Sequence, residues 1–321
     1  MAVKRGNKFG RIGVLMGGPS SEREISLKSG QAVHESLKGM GLEAVPVDII
    51  SRDNQKNIRL LKSYGLDCAF IALHGYFGED GQIQEILEGL GIPYTGSASL
   101  ASRLAMDKIE SRKIFKVHGM AVPAYQILQR LSYNPNWISC NQFIFPLVVK
   151  PAGHGSSIGL SIVDNKQDLA KAVEAAFKFD ENILVEEYIK GREVTVGILD
   201  ERALPVIEVI PKKRFFDFQA KYQPGMTDYQ VPAQLDQVTA KNLQQTALAA
   251  HNLLGCLGCS RVDMILSSGD KPFILEVNTI PGLTSTSLLP KAARVVGIDF
   301  AQLCLTLIQL AYEKKQVQAT R

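Results

Sequence analysis

Two apolar runs near the carboxyl end of the chain carry polar side chains that could hold a metal ion. The segments SRVDMIL and PFILEVN flank Ser-Gly-Asp-Lys, a combination typical of a β-hairpin. Residues that face each other across a hairpin, or lie two apart on one strand, share a face of the sheet. A turn of two residues (269–270) or of four (268–271) therefore predicts one polar patch, with Asp263 opposite Glu276 and Arg261 opposite Asn278.

Two directly opposed carboxylates repel each other unless a cation lies between them. Carboxylate and amide oxygens suit Mg²⁺ or Mn²⁺ rather than zinc, and Mg²⁺ held in this way completes its shell with water and phosphate oxygens. The alternative for this hairpin alone is a solvated face on which Arg261 neutralises one acid. The metal-site interpretation therefore requires phosphate-binding residues elsewhere in the chain.

The segment PLVVKPAGHGSSIG offers such residues. Lys150 ends an apolar run, and the loop after it contains Gly153, Gly155 and Gly159. Glycines let backbone N–H groups approach an anion closely, and the lysine adds a point charge. The segment matches neither GxxxxGK[ST] nor GxGxxG, so a flexible surface turn is the alternative. Lys108, in the tripeptide MDK, is a second candidate cation.

Two more apolar runs end in polar loops. GVLMGGPSSEREIS leads into a helix for which Ser21 and Glu24 predict a capping box. Glu22 in the same turn either favours the helix dipole or binds a substrate ammonium group. ALHGYFGEDG places His74 and its acidic neighbours at another strand end.

The elements that would position these groups alternate between strands and helices over residues 11–96, which predicts a parallel sheet with crossover helices. Functional residues of such sheets lie at the carboxyl ends of the strands. Four segments are predicted as strands: RIGVLM, EAVPVDII, DCAFIAL and GIPYT. Further along, DKIESRKIFKVHG and residues 236–254 are predicted as helices, and residues 211–233 as a long polar loop.

Length and composition exclude several classes of protein. A chain of 321 residues with 45% hydrophobic and 21% charged residues is typical of a soluble protein of two or three domains. A net charge of +4, without a basic-aromatic stripe, argues against nucleic acid as partner. No apolar run reaches the ~18 to 20 residues that span a membrane. The amino-terminal segment does not have the pattern of a signal peptide.

Five cysteines indicate reduced thiols in a cytoplasmic protein. Cys256 and Cys259 form a CxxC pair, but a zinc site requires a second pair or nearby histidines. Small buried side chains beside a glycine turn are therefore the preferred interpretation of this pair.

Taken in order, the motifs closely resemble those of the D-alanine–D-alanine ligases, a family of the ATP-grasp superfamily. The resemblance covers about residues 11–311, and eight motifs in the family's order make it highly specific. The matching stretches are GGPSSEREIS (17–26), ALHGYFGEDG (72–81), PYTGS (93–97), MDK (106–108), VKPAGHGSSIG (149–159), AKY (220–222), SRVD (260–263) and EVNTIPGLTSTSLLP (276–290).

The resemblance implies an α/β, three-domain ATP-grasp fold with an amino-terminal Rossmann-like parallel-sheet domain. It places that domain, with the first D-alanine site, in residues 1–96. The central and carboxy-terminal ATP-grasp subdomains would span 97–189 and 190–321. ATP would phosphorylate one D-alanine, and the amine of a second would attack the acyl phosphate to give D-alanyl-D-alanine for peptidoglycan precursors. A cytoplasmic homodimer is expected.

The resemblance also implies a role for each matching residue. Two Mg²⁺ or Mn²⁺ ions would be held by Asp263, Glu276 and Asn278, and ATP by Lys108, Lys150, Glu186, Glu193 and Lys221. The first D-alanine would meet Glu22 and His74, and the second Ser287 and Leu288. Arg261 and the backbone of Gly282 would stabilise the oxyanion. A hydrogen-bonded chain of Glu22, Ser156 and Tyr222 would tie two loops to the amino-terminal domain.

Several alternatives remain open at this point. Tyr222 favours the dipeptide product, because ligases that use D-lactate typically carry another residue there. A ligase of the same fold that takes D-lactate or D-serine is the first alternative. A non-catalytic nucleotide-binding homologue is the second, although no metal ligand, phosphate-binding lysine or arginine of the pattern is missing. A nicotinamide dehydrogenase would require GxGxxG after the first strand, which GVLMGGPSS lacks.

Overall fold

The structure, a computed structural model, describes residues 8–134, 137, 144–212 and 225–319, with side chains to residue 314. Its first sheet is parallel, with strand order β2-β1-β3. The strands are β1 (Ile12–Gly17), β2 (Ala44–Ile49) and β3 (Cys68–Ile71), with α1 (Arg23–Gly39) and α2 (Asn54–Tyr64) as crossovers. The predicted parallel sheet is thus confirmed. The segment GIPYT differs from the prediction, because it contributes one bridge, between Ala69 and Tyr94, instead of a strand.

Three short helices follow the first sheet: α3 (Gln82–Gly89), α4 (Ser99–Met106) and α5 (Lys108–Val117). Asp107 separates the last two, and its carboxylate accepts hydrogen bonds from the backbone N–H groups of Ile109 and Glu110. This is an N-cap of the kind that fixes where a helix begins. The helix predicted within DKIESRKIFKVHG is confirmed, and its cap places Lys108 at the first helical position.

The second sheet is antiparallel, with order β4-β7-β5-β6. Its strands are β4 (Tyr125–Gln129), β5 (Leu147–Pro151), β6 (Ser161–Val163) and β7 (Asn182–Glu187); a 3₁₀ turn covers Arg130–Ser132, and α6 (Lys166–Ala176) packs on the sheet. Val148 on β5 pairs with Glu186 on β7. Because residues two apart share a face, Lys150 and Glu186 lie diagonally on one face of this sheet.

The third sheet is also antiparallel, with order β11-β10-β8-β12-β13 and β9 paired to β8. Its strands are β8 (Gly191–Leu199), β9 (Arg202–Ala203), β10 (Ile207–Pro211), β11 (Thr227–Gln230), β12 (Cys259–Ser267) and β13 (Pro272–Asn278), and α7 (Gln237–Leu253) packs against it. The prediction of an unbroken loop over 211–233 was wrong at β11, because Thr227–Gln230 pairs with β10.

The chain ends in α8 (Leu288–Val295) and α9 (Phe300–Ala319). Leu303 and Leu307 of α9 share a core with Val33 and Leu37 of α1, so the last helix packs against the first sheet's layer. Within the described residues no single helix is long and apolar enough to cross a membrane; α8 and α9 reach that length and apolarity only as a pair bent by 102°.

Candidate active site

The hairpin of β12 and β13 has the predicted pairing, with Asp263 opposite Glu276 and Arg261 opposite Asn278. Its turn differs from both predicted lengths. The backbone N–H of Ser267 donates to the carbonyl of Lys271 at 3.0 Å, which leaves a three-residue loop. A β-bulge next to Asp263 then restores the register that a loop of even length would have given.

The polar patch concentrates its hydrogen bonds on Asp263. The Nε and Nη2 atoms of Arg261 donate to its two oxygens at 2.8 and 2.7 Å, and Asn278 Nδ2 donates at 3.0 Å. Lys108 Nζ lies 3.3 Å from a Glu276 oxygen. Each of the two carboxylates thus faces a cation. Together with the carbonyl of the Asn278 amide, the carboxylates offer only oxygen atoms as ligands for a metal ion. That donor set fits a hard divalent cation such as Mg²⁺.

A cavity of about 420 Å³ lies between the second and third sheets. Its apolar wall includes Ile158, Leu160 and Leu275, and its polar wall holds six residues predicted to bind nucleotide or metal. A mostly apolar slot with convergent cations is suited to a nucleotide. The six are Lys108, Lys150, Glu186, Glu193, Asp263 and Glu276.

Two buried lysines supply positive charge in this cavity. Lys108 Nζ donates to the carbonyl of His154 at 2.7 Å, which ties helix α5 to the glycine-rich loop. Lys150 Nζ lies 2.9 Å from a Glu186 oxygen. Burial lowers the pKa of Lys150 to about 8, and the nearby charge of Arg112 acts in the same direction. Lys150 is therefore expected to lose its positive charge as the pH rises through about 8.

Arg112 is a residue that sequence analysis missed. Its side chain is among the largest fully buried ones, and its guanidinium contacts Glu186. Lys108 and Arg112 are four apart on α5, so their spacing placed both on one helix face. That spacing is the signal that could have identified Arg112.

A second cavity of about 380 Å³ lies at the other end of the same polar patch, where Arg261 and Asn278 line it. It brings together residues from five separate segments that were predicted for substrate binding, catalysis or metal binding. The hydroxyl of Ser156 donates a hydrogen bond to Glu22. The residues that line this cavity include Glu22, His74, Ser156, Arg261, Asn278, Gly282, Ser287 and Leu288.

His74 is held from both sides of its ring. Its Nε2 lies 3.0 Å from the hydroxyl of Ser29, and its Nδ1 lies 3.5 Å from a Glu79 oxygen. Burial raises the pKa of the Glu79 carboxyl, and the charge of Glu22 contributes in the same direction. The imidazole therefore has a fixed orientation at the cavity wall.

Ser287 and Leu288 lie at the start of α8. The hydroxyl of Ser287 accepts from the backbone N–H of Thr284 at 3.1 Å. A Cβ at position 282 would lie 3.1 Å from that hydroxyl, so Gly282 leaves space for the Ser287 side chain. Unpaired N–H groups at a helix start favour an anion such as a carboxylate.

The predicted capping box of Ser21 and Glu24 was wrong. Helix α1 begins at Arg23, with Glu22 at the N-cap position and no side-chain cap. Ser20 stabilises the turn instead, since its hydroxyl accepts from the Glu22 N–H at 3.1 Å and donates to the His74 carbonyl at 2.7 Å. The helix begins one residue later than the box requires, which leaves Ser21 outside it and exposed.

Two predicted site residues, Lys221 and Tyr222, lie outside the described residues. The preferred interpretation of the CxxC pair is confirmed, because Cys256 and Cys259 are buried free thiols. Burial raises the pKa of each to about 12. Throughout the described part of the chain, no group of three or more His, Cys, Asp or Glu side chains could hold a metal ion. The hairpin patch contributes only two such residues and an amide.

Comparisons with known proteins agree with this arrangement. A family model described as D-ala D-ala ligase C-terminus matches residues 114–309, and one described as D-ala D-ala ligase N-terminus matches residues 51–97. The chain is also similar to a D-alanine–D-alanine ligase from Syntrophotalea carbinolica. That relative is 48% identical over 294 residues, which cover 91% of this chain and 93% of the relative.

Solved structures show the same fold. A D-alanine–D-alanine ligase from Bacillus anthracis complexed with ATP aligns with a TM-score of 0.83 at 34% identity, over 96% of this chain and 99% of that one. The VanG D-Ala:D-Ser ligase from Enterococcus faecalis aligns with a TM-score of 0.80 at 32% identity, over 94% and 99%. The expected three-domain ATP-grasp architecture is thereby confirmed.

Proposed function

The chain belongs to the D-alanine–D-alanine ligase family, and on this premise we propose that it joins two D-alanine molecules in an ATP-dependent reaction. The observation that carries the proposal is the position of the hairpin patch between two cavities. Asp263 and Glu276 line the nucleotide-sized cavity, whereas Arg261 and Asn278 line the second one. A phosphoryl group held in the first cavity is thus adjacent to a carboxylate held in the second.

The first half-reaction phosphorylates a D-alanine carboxylate. Glu22 binds the ammonium group of this D-alanine, and His74 lies near its carboxylate. Lys108 and Lys150 bind the ATP phosphates, while Lys221 reaches the transferred group. Glu186 and Glu193 bind adenine and ribose. Asp263, Glu276 and Asn278 would hold two Mg²⁺ or Mn²⁺ ions, which would supply positive charge to neutralise the phosphates. The carboxylate oxygen forms a bond to the γ-phosphorus, and ADP leaves.

The second half-reaction forms the peptide bond. Ser287 and Leu288 hold the carboxylate of the second D-alanine, so its amine faces the acyl phosphate. Attack at the carbonyl carbon places a negative charge on oxygen, and Arg261 with the N–H of Gly282 stabilises that charge. Phosphate leaves as the tetrahedral intermediate collapses, and the amine loses a proton. The chain of Glu22, Ser156 and Tyr222 holds the loops closed, which keeps water from the acyl phosphate.

The product is a dipeptide with two D-residues, suited to peptidoglycan precursor synthesis in the cytoplasm. A homodimer is the proposed assembly. D-Serine in place of the second D-alanine is a specific alternative, because the similar VanG protein is a D-Ala:D-Ser ligase.

The experiment that tests this function measures ADP release from ATP and Mg²⁺, with products identified by mass. The substrates are D-alanine alone, L-alanine alone, and D-alanine with D-serine or D-lactate. Turnover with D-alanine and a dipeptide product supports the proposal. A mixed product formed in preference to D-alanyl-D-alanine would keep the reaction class and change the acceptor. ATP binding without turnover under all conditions would indicate a non-catalytic homologue.

A further inference from the structure

We infer that Arg112 is a positioning residue for nucleobase selection, because it holds the Glu186 carboxylate as a hydrogen-bond acceptor at the wall of the nucleotide cavity. Arg112 is not among the residues that line this cavity. Its influence on a nucleotide therefore passes through Glu186. The inference rests on the proposed use of ATP.

The guanidinium of Arg112 covers one oxygen of the carboxylate. Its Nε donates to Glu186 Oε1 at 2.8 Å, and its Nη2 lies 2.6 Å from the same oxygen. Lys150 Nζ lies 2.9 Å from the other oxygen, Oε2. Both oxygens thus meet a cation, although the Glu186 side chain is only 2% exposed.

Two further contacts orient the guanidinium. Nη1 donates to the carbonyl of Leu275 at 3.3 Å, and the ring of Tyr125 lies 5.9 Å from the guanidinium carbon. Leu275 lines the same cavity as Glu186. Arg112 thereby joins β7 of the second sheet to β13 of the third, at the place where the two walls of the cavity meet.

The chemical consequence concerns the hydrogen bonds that Glu186 can make with a base. A carboxylate oxygen accepts hydrogen bonds and has none to donate. A purine with an amino group at C6 donates to this acceptor, whereas a purine with a carbonyl at C6 presents lone pairs and is repelled. Without Arg112, Oε1 loses both of its contacts with the guanidinium. The carboxylate is then no longer fixed at the cavity wall, and the preference for the amino group falls.

The test compares equilibrium binding of ATP and inosine triphosphate, which differ at C6, by calorimetry with Mg²⁺ and no amino acid. Arg112→Met and Arg112→Gln remove the charge, and Arg112→Lys retains it. Lys113→Met, an exposed position on the same helix, is the matched control. We expect the ratio of the two dissociation constants to fall about tenfold in the uncharged variants. In the lysine variant and the control it stays within about threefold of the unmodified protein.

A cycle with Glu186→Gln separates positioning from support of the fold. If Arg112 acts through Glu186, then Arg112→Gln leaves the ratio unchanged in the Glu186→Gln background. Equal weakening of both nucleotides, or a shift in ratio that persists in that background, would overturn the inference. Because binding is measured without D-alanine, a protein that selects ATP but joins no amino acids would overturn only the proposed function.

Discussion

The hydroxyl of Ser156 donates a hydrogen bond to the carboxylate of Glu22, although the two residues are 134 positions apart in the chain. Ser156 belongs to the glycine-rich loop after β5, and Glu22 is the N-cap residue of α1. Both line the cavity proposed for amino-acid substrates. This contact therefore connects the loop of the central sheet to the amino-terminal layer.

Replacement of Ser156 by Ala removes that contact and leaves the Glu22 carboxylate with one donor fewer. A hydrogen bond to a charged group contributes about 1.5–3 kcal/mol, so kcat/KM for D-alanine is expected to fall roughly 10- to 100-fold. Steady-state kinetics at varied D-alanine concentration measure kcat/KM in the variant and in the unmodified protein.

Glu22→Gln tests the same contact from the other side, and Glu24→Gln, an exposed carboxylate in the first turn of the same helix, is its control. The effects of Ser156→Ala and Glu22→Gln are expected to be non-additive. Independent, additive losses would mean that the contact has no role in catalysis.

The pH dependence of ATP binding follows from Lys150. Burial lowers its pKa to about 8, so the side chain is mostly charged at pH 7 and mostly neutral at pH 9. In the role proposed for Lys150, the phosphates bind its charged form, so the affinity for ATP is expected to fall as the pH rises through 8, by up to about tenfold per pH unit. Calorimetry in two buffers of different ionisation enthalpy should detect proton uptake on binding above pH 8.

Lys150→Arg is the matched variant for this prediction, because a guanidinium stays charged over the whole range. The pH dependence between 7 and 9 is expected to disappear in it. An unmodified protein whose affinity for ATP is constant from pH 7 to 9 would contradict the assignment of Lys150 to the phosphates.

In the hairpin of β12 and β13, the sequence pattern predicted the residue pairing correctly and the turn incorrectly. Alternation of polar and apolar residues was sufficient to pair Asp263 with Glu276, because the face of a strand is fixed by its period of two. The turn was predicted wrongly, since an odd-length loop shifts the register by one. The bulge at Leu275 compensates, and alternation of side chains on an ideal strand does not reveal a bulge. The predicted pairing of Asp263 with Glu276 is therefore correct, although it results from two irregular features, the odd-length loop and the bulge.

Other features depend on contacts between distant segments, which patterns along the chain do not contain. The side chain of Arg112 is buried only because helix α5 packs where the second and third sheets meet. Ser156 has a φ of +53°, a conformation that favours glycine, so its direction toward Glu22 could not be read from its residue type. Local patterns predicted the strand ends that carry the site, and tertiary packing decides which side chains meet there.

The cysteines provide a prediction about reactivity. Burial raises the pKa of Cys256, Cys259 and Cys304 to about 12, so roughly one thiol in 10⁴ is ionised at pH 8. In a Cys140→Ser variant, Ellman's reagent is expected to react with these three thiols and with Cys68, which is also buried, only after unfolding in guanidinium. Fast reaction of the native variant, or an increase in its melting temperature with zinc, would restore a redox or metal role for the CxxC pair.

The last prediction concerns Asp263, the proposed metal ligand, whose carboxylate accepts a hydrogen bond from the hydroxyl of Thr195 at 2.5 Å. Loss of such an outer partner typically weakens metal binding about 10- to 100-fold. Thr195→Val keeps the shape of the side chain and removes the donor, so Mn²⁺ binding is expected to weaken by this factor when free Mn²⁺ is counted by electron paramagnetic resonance. Thr195→Ser should restore it, because the hydroxyl remains.

Two variants on the hairpin calibrate this measurement. Asp263→Asn removes a charged ligand, and we expect it to weaken Mn²⁺ binding more than Thr195→Val does. Asp270→Asn changes a carboxylate that is exposed at the turn, at a φ of +53° that asparagine also tolerates. It should bind Mn²⁺ like the unmodified protein. If Thr195→Val also bound Mn²⁺ like the unmodified protein, its hydroxyl would serve the packing of β8 against β12 and not the metal site.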